Sequence, residues 1–177
     1  MRYAIGVVTG LLLLAACKQE LTRDKVELFA AIAYITWGME KGNNKFSSER
    51  VDRNVLSDAV EYVVYSKRDG PAGMRMTIKS PRECVFTIGG VRTDGVLHTL
   101  DFNKATKLEF ATPPNFFAYV NVEGPQVFCE GDKCEDEKIF FMFEQRGTMA
   151  LEENRAIAIR KMRAVDFIRK SCPGKPF

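Results

Sequence analysis

His98 is the only histidine in a chain of 177 residues. Two-histidine metal sites and most histidine-based triads are therefore excluded. His98 sits between Val96 and Leu100 in an alternating stretch, on the apolar side of an expected strand. A lone histidine there is expected to be a core residue with a satisfied nitrogen. A catalytic or ligand role is the lesser alternative. G-x-S-x-G, S-x-x-K, P-loop, G-x-G-x-x-G and H-E-x-x-H patterns are all absent, which removes the routine hydrolase and nucleotide-binding readings. The densest carboxylates are Glu130, Asp132, Glu135, Asp136 and Glu137. Oxygen ligands suit calcium, but the EF-hand spacing is missing, so a solvated loop is the expectation. No cofactor is implied.

The first residues carry a different kind of chemistry. Arg2 gives a positive start, Tyr3 to Ala16 is apolar with four leucines at Leu11 to Leu14, and Cys17-Lys18-Gln19-Glu20 turns polar at once. A charged residue, a short apolar run and small residues make a secretory signal. The run is shorter than the roughly 20 apolar residues of a spanning helix. An ordinary signal peptidase site has small residues one and three places before the cut. Leu14 is too large for that pattern.

Leu14-Ala15-Ala16-Cys17 resembles the lipobox of bacterial lipoproteins. The resemblance covers residues 1–17 only. It implies that the Cys17 thiol takes a diacylglyceryl group, that cleavage follows just before Cys17, and that the new amino group is acylated. Two or three chains on one residue would hold the protein firmly, since each buried methylene contributes ~0.8 kcal/mol. In many Gram-negative lipoproteins an aspartate after the cysteine signals inner-membrane retention. Lys18 stands there instead, so the resemblance points to the outer membrane and the periplasm. It also implies a membrane partner through the lipid.

With Cys17 assigned to the lipid, Cys84, Cys129, Cys134 and Cys172 remain, an even number suited to two disulfides in an oxidising compartment. Four cysteines allow three connectivities. The favoured one is Cys129–Cys134 with Cys84–Cys172. The first would clip a loop containing Gly131, and the second would pin the chain end to a strand opened by Cys84. A zinc site is disfavoured, because the one close pair has four intervening residues.

Elements must position these residues. Asp24 to about Met39 is an expected helix, apolar on more than one side. Gly42-Asn43-Asn44 reads as a break. Val55, Leu56, Ala59, Val60, Val63 and Val64 have helical spacing, while Val60 to Tyr65 is rich in strand formers, so a short helix leading into a strand from about residue 59 is expected. Asp69 to Gly73 is a turn. Met74, Met76 and Ile78 alternate, Ser80-Pro81-Arg82 interrupts, and Cys84, Phe86 and Ile88 alternate again. Gly89 to Gly95 makes another turn. Val96, His98, Leu100 and Phe102 share a face. Lys107 to Ala111, Phe116 to Val122, Gln126 to Cys129 and Lys138 to Glu144 are further strands. The chain closes with a helix from Thr148, its cap, to Ser171, stopped by Pro173-Gly174.

The expected fold class is α+β, a mainly antiparallel β-sheet flanked by an N-terminal and a C-terminal helix. Residues 1–16 form the signal, 17–23 a lipidated tether and 24–177 one domain. Lys and Arg total 26 against 23 Asp and Glu, a balance too even to imply nucleic acid. The basic residues of the last helix, Arg155, Arg160, Lys161, Arg163, Arg169 and Lys170, suit an anionic headgroup layer. They suit an ordinary solvated face paired to Glu152 and Asp166 better. Phe116, Phe117, Tyr119, Phe140, Phe141 and Phe143 would be covered on both sides of a sheet or would form a binding surface. The functional expectation is a non-catalytic envelope lipoprotein that binds or supports an envelope protein or polymer. The rivals are a carboxylate enzyme acting on envelope polymers and a carrier of a small apolar ligand.

Overall fold

A computed structural model describes residues 21–43, 50–65, 73–90, 95–112, 118–143 and 151–172. Cys17, the Thr148 cap, the Pro173-Gly174 stop, most of the 69–73 turn and the Phe116-Phe117 pair lie outside them.

Helix α1 spans Arg23–Trp37. The Thr22 side chain accepts from the Lys25 N–H at its start, and Gly38 ends it in the left-handed conformation at φ 68°, with the Gly38 N–H donating to the Tyr34 carbonyl and the Met39 N–H to that of Ala33. Phe29, Ala31, Ile32, Ala33 and Ile35 are buried, so the apolar residues on several sides of α1 mark a deeply packed helix.

Among the described residues the strands form two antiparallel sheets. The larger runs in the order β1 (Gly42–Asn43), β2 (Arg50–Val55), β3 (Ala59–Tyr65), β4 (Met74–Arg82), β5 (Val85–Gly90), β6 (His98–Asp101), β9 (Phe128–Glu130) and β10 (Lys133–Glu135). The smaller runs β11 (Lys138–Phe143), β8 (Ala118–Glu123) and β7 (Lys107–Ala111). Helix α2 spans Leu151–Ser171. The fold is thus α+β, with a mainly antiparallel sheet and a helix near each end.

Register explains the core. Val51 faces Val64, Val60 faces Ile78, Ile78 faces Ile88, and Phe86 faces Leu100, which in turn faces Phe128. This row of residues is buried against α1. Phe29 meets Phe86 edge-on at 5.9 Å, and Phe86 meets Phe102 at the same distance. Each such ring contributes ~1.5–3 kcal/mol of burial. α2 packs on α1 and on β7 of the small sheet.

Several expectations need correction. The segment from Val51 does not begin as a helix. It is a β2–β3 hairpin, closed by the Leu56 N–H donating to Ala59. The helical spacing came from Val55 and Leu56, which are exposed at the hairpin end. Pairing of β-branched residues across the strands outweighs that periodicity. Gly42-Asn43 is not a break but strand β1, paired with Val51 and Arg50. Ser80-Pro81-Arg82 does not interrupt β4. The register shifts between Lys79 and Arg82, an irregularity that accommodates a proline without an N–H. Cys84 sits in the turn before β5 at φ 57° instead of opening the strand. Gly89 and Gly90 belong to β5, and Phe102 has left β6 for a 3-10 turn, Phe102–Lys104, capped by Asp101.

Gly124 holds the joint between the sheets. Its φ is 149°, and a Cβ there would come 2.2 Å from the Lys104 carbonyl oxygen. Only glycine lets the two backbones approach so closely.

Candidate functional site

The cysteines come first, because they set the topology. The structure joins Cys84 to Cys172 and Cys129 to Cys134. Cys84 follows the β4 end, and Cys172 is the residue after α2, so this bridge ties the last helix to the middle of the large sheet across a separation of 88 residues. Cys129 and Cys134 face each other in register on β9 and β10, with Gly131 at φ 58° in the tight turn between them. That loop is therefore a two-stranded hairpin at the sheet edge, and the Lys133–Glu135 strand went unread in the sequence. Glu130, Asp132, Asp136 and Glu137 are exposed on or beside this hairpin. Among the described residues no three His, Cys, Asp or Glu side chains converge to hold a metal.

His98 is half-buried on the inner face of β6, opposite Ile88 and Glu130. Its ring meets Trp37 edge-on at 5.7 Å and Phe128 at 5.3 Å. The expectation of a satisfied nitrogen is not met at Nδ1. Nδ1 is buried without a hydrogen-bond partner among the described residues. Trp37 and Phe128, which make these contacts, carry no titratable group.

Two clusters were missed by sequence reasoning. On the small sheet, Lys107 Nζ lies 2.7 Å from Glu109 Oε1 and 3.5 Å from Glu123 Oε1. The buried Asn121 donates through Nδ2 to Glu123 at 2.6 Å and to Glu109 at 3.4 Å. The hydrogen bond from Lys107, above all, holds Glu109 below the ordinary carboxylate range. Two carboxylates do converge here, but around a shared cation. A general acid needs its pKa raised, and that of Glu109 is lowered here. The signal was present in the i, i+2 spacing of Lys107 with Glu109 and of Asn121 with Glu123 on facing strands.

The second cluster lies between the helices. Lys161 is 1% exposed. Its Nζ donates to the Tyr34 carbonyl and stands 3.9 Å from the centre of the Tyr34 ring. Burial pushes its pKa down to about 6, with Glu40 opposing and Arg160 adding to the shift. Arg160 pairs with Glu40 at 2.6 Å. Burial likewise pushes the Tyr34 phenol up. Tyr62, on the inner face of β3, is raised to about 12 for the same reason. Lys161 had no sequence signal, because it follows Arg160 in a run of basic residues.

Comparison with family models, with curated proteins and with solved structures finds no match to this chain.

Proposed function

We propose that this chain is a lipid-anchored lipoprotein of a bacterial envelope, tethered through Cys17, whose α+β domain binds or supports another envelope component without catalysing a reaction. Cysteine bookkeeping carries the reading. Of five cysteines, four are joined in two disulfides, which leaves Cys17 without a cysteine in its own chain to bond. It stands where the Leu14-Ala15-Ala16-Cys17 pattern calls for a lipidated thiol. The paired cysteines agree with an oxidising compartment. No helix among the described residues is long and apolar enough to cross a membrane. On this reading the anchor is the acyl chains that the lipobox resemblance places on Cys17, two or more of which make a lasting tether.

The domain supports the non-catalytic part. Its lone histidine packs against Trp37 and Phe128, and its converging carboxylates, Glu109 and Glu123, both pair with Lys107. Lys18 after the cysteine favours the outer membrane, facing the periplasm. Replacing Cys17 with Ser tests the reading by fractionation. The variant is expected to lose its acyl chains and to leave the membrane fraction. A variant that stays bound and is processed like the parent defeats it.

A further inference from the structure

Helix α2 presents an outward stripe that the packed core does not use. Arg155, Ile159, Met162, Arg163, Asp166 and Lys170 lie along it and are exposed. Ile159 is 41% exposed and Met162 52%, and their i, i+3 spacing sets them side by side on the helix surface. Among the described residues Arg155, Arg163 and Lys170 make no ion pair, whereas Arg160 is tied to Glu40 and Arg169 to Asp166. Three cations flank two apolar side chains on this face, and its Asp166 is offset by Arg169, a composition that suits the headgroup boundary of an anionic bilayer.

The position of the tether adds a second constraint. Leu21 packs against the core. The chain from Cys17 to Leu21 reaches at most about 14 Å when extended. The two helices run antiparallel. Tyr34, late in α1, and Glu40, just past its end, meet Lys161 and Arg160 midway along α2. Phe29, earlier in α1, packs on Phe86, two residues beyond the Cys84 that bonds Cys172 at the end of α2. The start of α1 and the end of α2 therefore share one end of the domain. A lipid on Cys17 brings the Lys170 end of the stripe close to the bilayer.

We infer that the outward face of α2, centred on Ile159, Met162 and Arg163 with Arg155 and Lys170 at either side, docks on anionic phospholipid headgroups. The inference rests on the lipid anchor proposed above and adds an orientation to it. The tether supplies proximity, and the stripe turns the domain so that α2 lies flat. Arg155, Arg163 and Lys170 act on the headgroup field, and Ile159 with Met162 enters the boundary. Three basic residues near an anionic surface favour the docked orientation on the order of 100-fold over a neutral one.

The test is hydroxyl-radical footprinting of the full lipidated chain on two kinds of vesicle, phosphatidylcholine alone and phosphatidylcholine mixed with phosphatidylglycerol. Met39 and Met76, both buried, serve as internal references. Met162 is expected to oxidise several-fold more slowly on the anionic vesicles and to lose that protection at high salt, where surface charges are screened. The triple variant Arg155→Gln, Arg163→Gln, Lys170→Gln is expected to stay membrane-bound with Met162 oxidised equally on both. Equal oxidation of Met162 in the parent, with the protein retained on both vesicles, overturns the docking face and leaves the anchor intact. Loss of the protein from the zwitterionic vesicles alone, with Met162 protected on the anionic ones, supports the face and removes the anchor.

Discussion

Replacing Lys161 with Met should stabilise the protein at neutral pH, and by an amount that shrinks as the pH rises. Folding moves the Lys161 ammonium from water to the seam between α1 and α2, where burial lowers its pKa from 10.5 to about 6. Between those values the unfolded chain holds a proton that the folded chain has released, so stability increases with pH. Below about pH 6 both states are charged and the full cost of burial is felt, and above 10.5 both are neutral and the cost is gone. The slope is ~1.4 kcal/mol per pH unit at most. Between pH 7 and pH 9 the advantage of Lys161→Met over the parent should therefore fall by up to about 3 kcal/mol. The Tyr34 carbonyl keeps a partner in the variant, because it also accepts from the Gly38 N–H at 3.1 Å. Methionine also follows the path of the lysine stem with little loss of packing. Chemical unfolding of both proteins at pH 7 and pH 9, with disulfides intact, measures the difference directly. A gap between parent and variant that is the same at both pH values, or a variant less stable than the parent at pH 7, refutes the account of the helix seam.

Removing the Cys84–Cys172 bridge by double serine substitution should cost about 4–5 kcal/mol in the chain-entropy account, against about 2 kcal/mol for Cys129–Cys134, because the closed loops differ so much in length. Denaturant midpoints that rank the two double variants the other way round would contradict the topological role of the first bridge. Gly124→Ala should destabilise by more than about 2 kcal/mol, since the added methyl meets the Lys104 carbonyl at a φ that side chains rarely adopt. A thermal midpoint within error of the parent would show that the joint between the sheets can relax. His98→Phe should change stability by less than about 1 kcal/mol, because it keeps the aromatic contacts and removes a buried nitrogen that has no partner among the described residues. A loss of several kcal/mol would mean that the imidazole holds a hydrogen bond essential to the fold.

The fold class was legible because the terminal elements carry strong local signals. Gly38 sits where the α1 pattern runs out, and the buried positions Val165 and Ile168 fall at helical spacing on α2. β7 was read at its observed bounds, since alternation there is clean and both flanks are polar. The β2–β3 hairpin was illegible because Val55 and Leu56 are apolar yet exposed, so they completed a helical pattern that has no buried face. Pro81 concealed a continuous strand, because a register shift that accommodates proline leaves no mark in one sequence. The two side-chain clusters depend on distances across the chain. Lys161 and Tyr34 are 127 residues apart, and nothing local distinguishes Lys161 from its basic neighbours.

Intact mass analysis of the membrane-extracted protein tests the central claim most directly. The account predicts a polypeptide whose first residue is Cys17, heavier than its sequence by a diacylglyceryl group and an amide-linked acyl chain, with the other four cysteines oxidised. A chain starting anywhere else, or a Cys17 bearing no acyl mass, contradicts it.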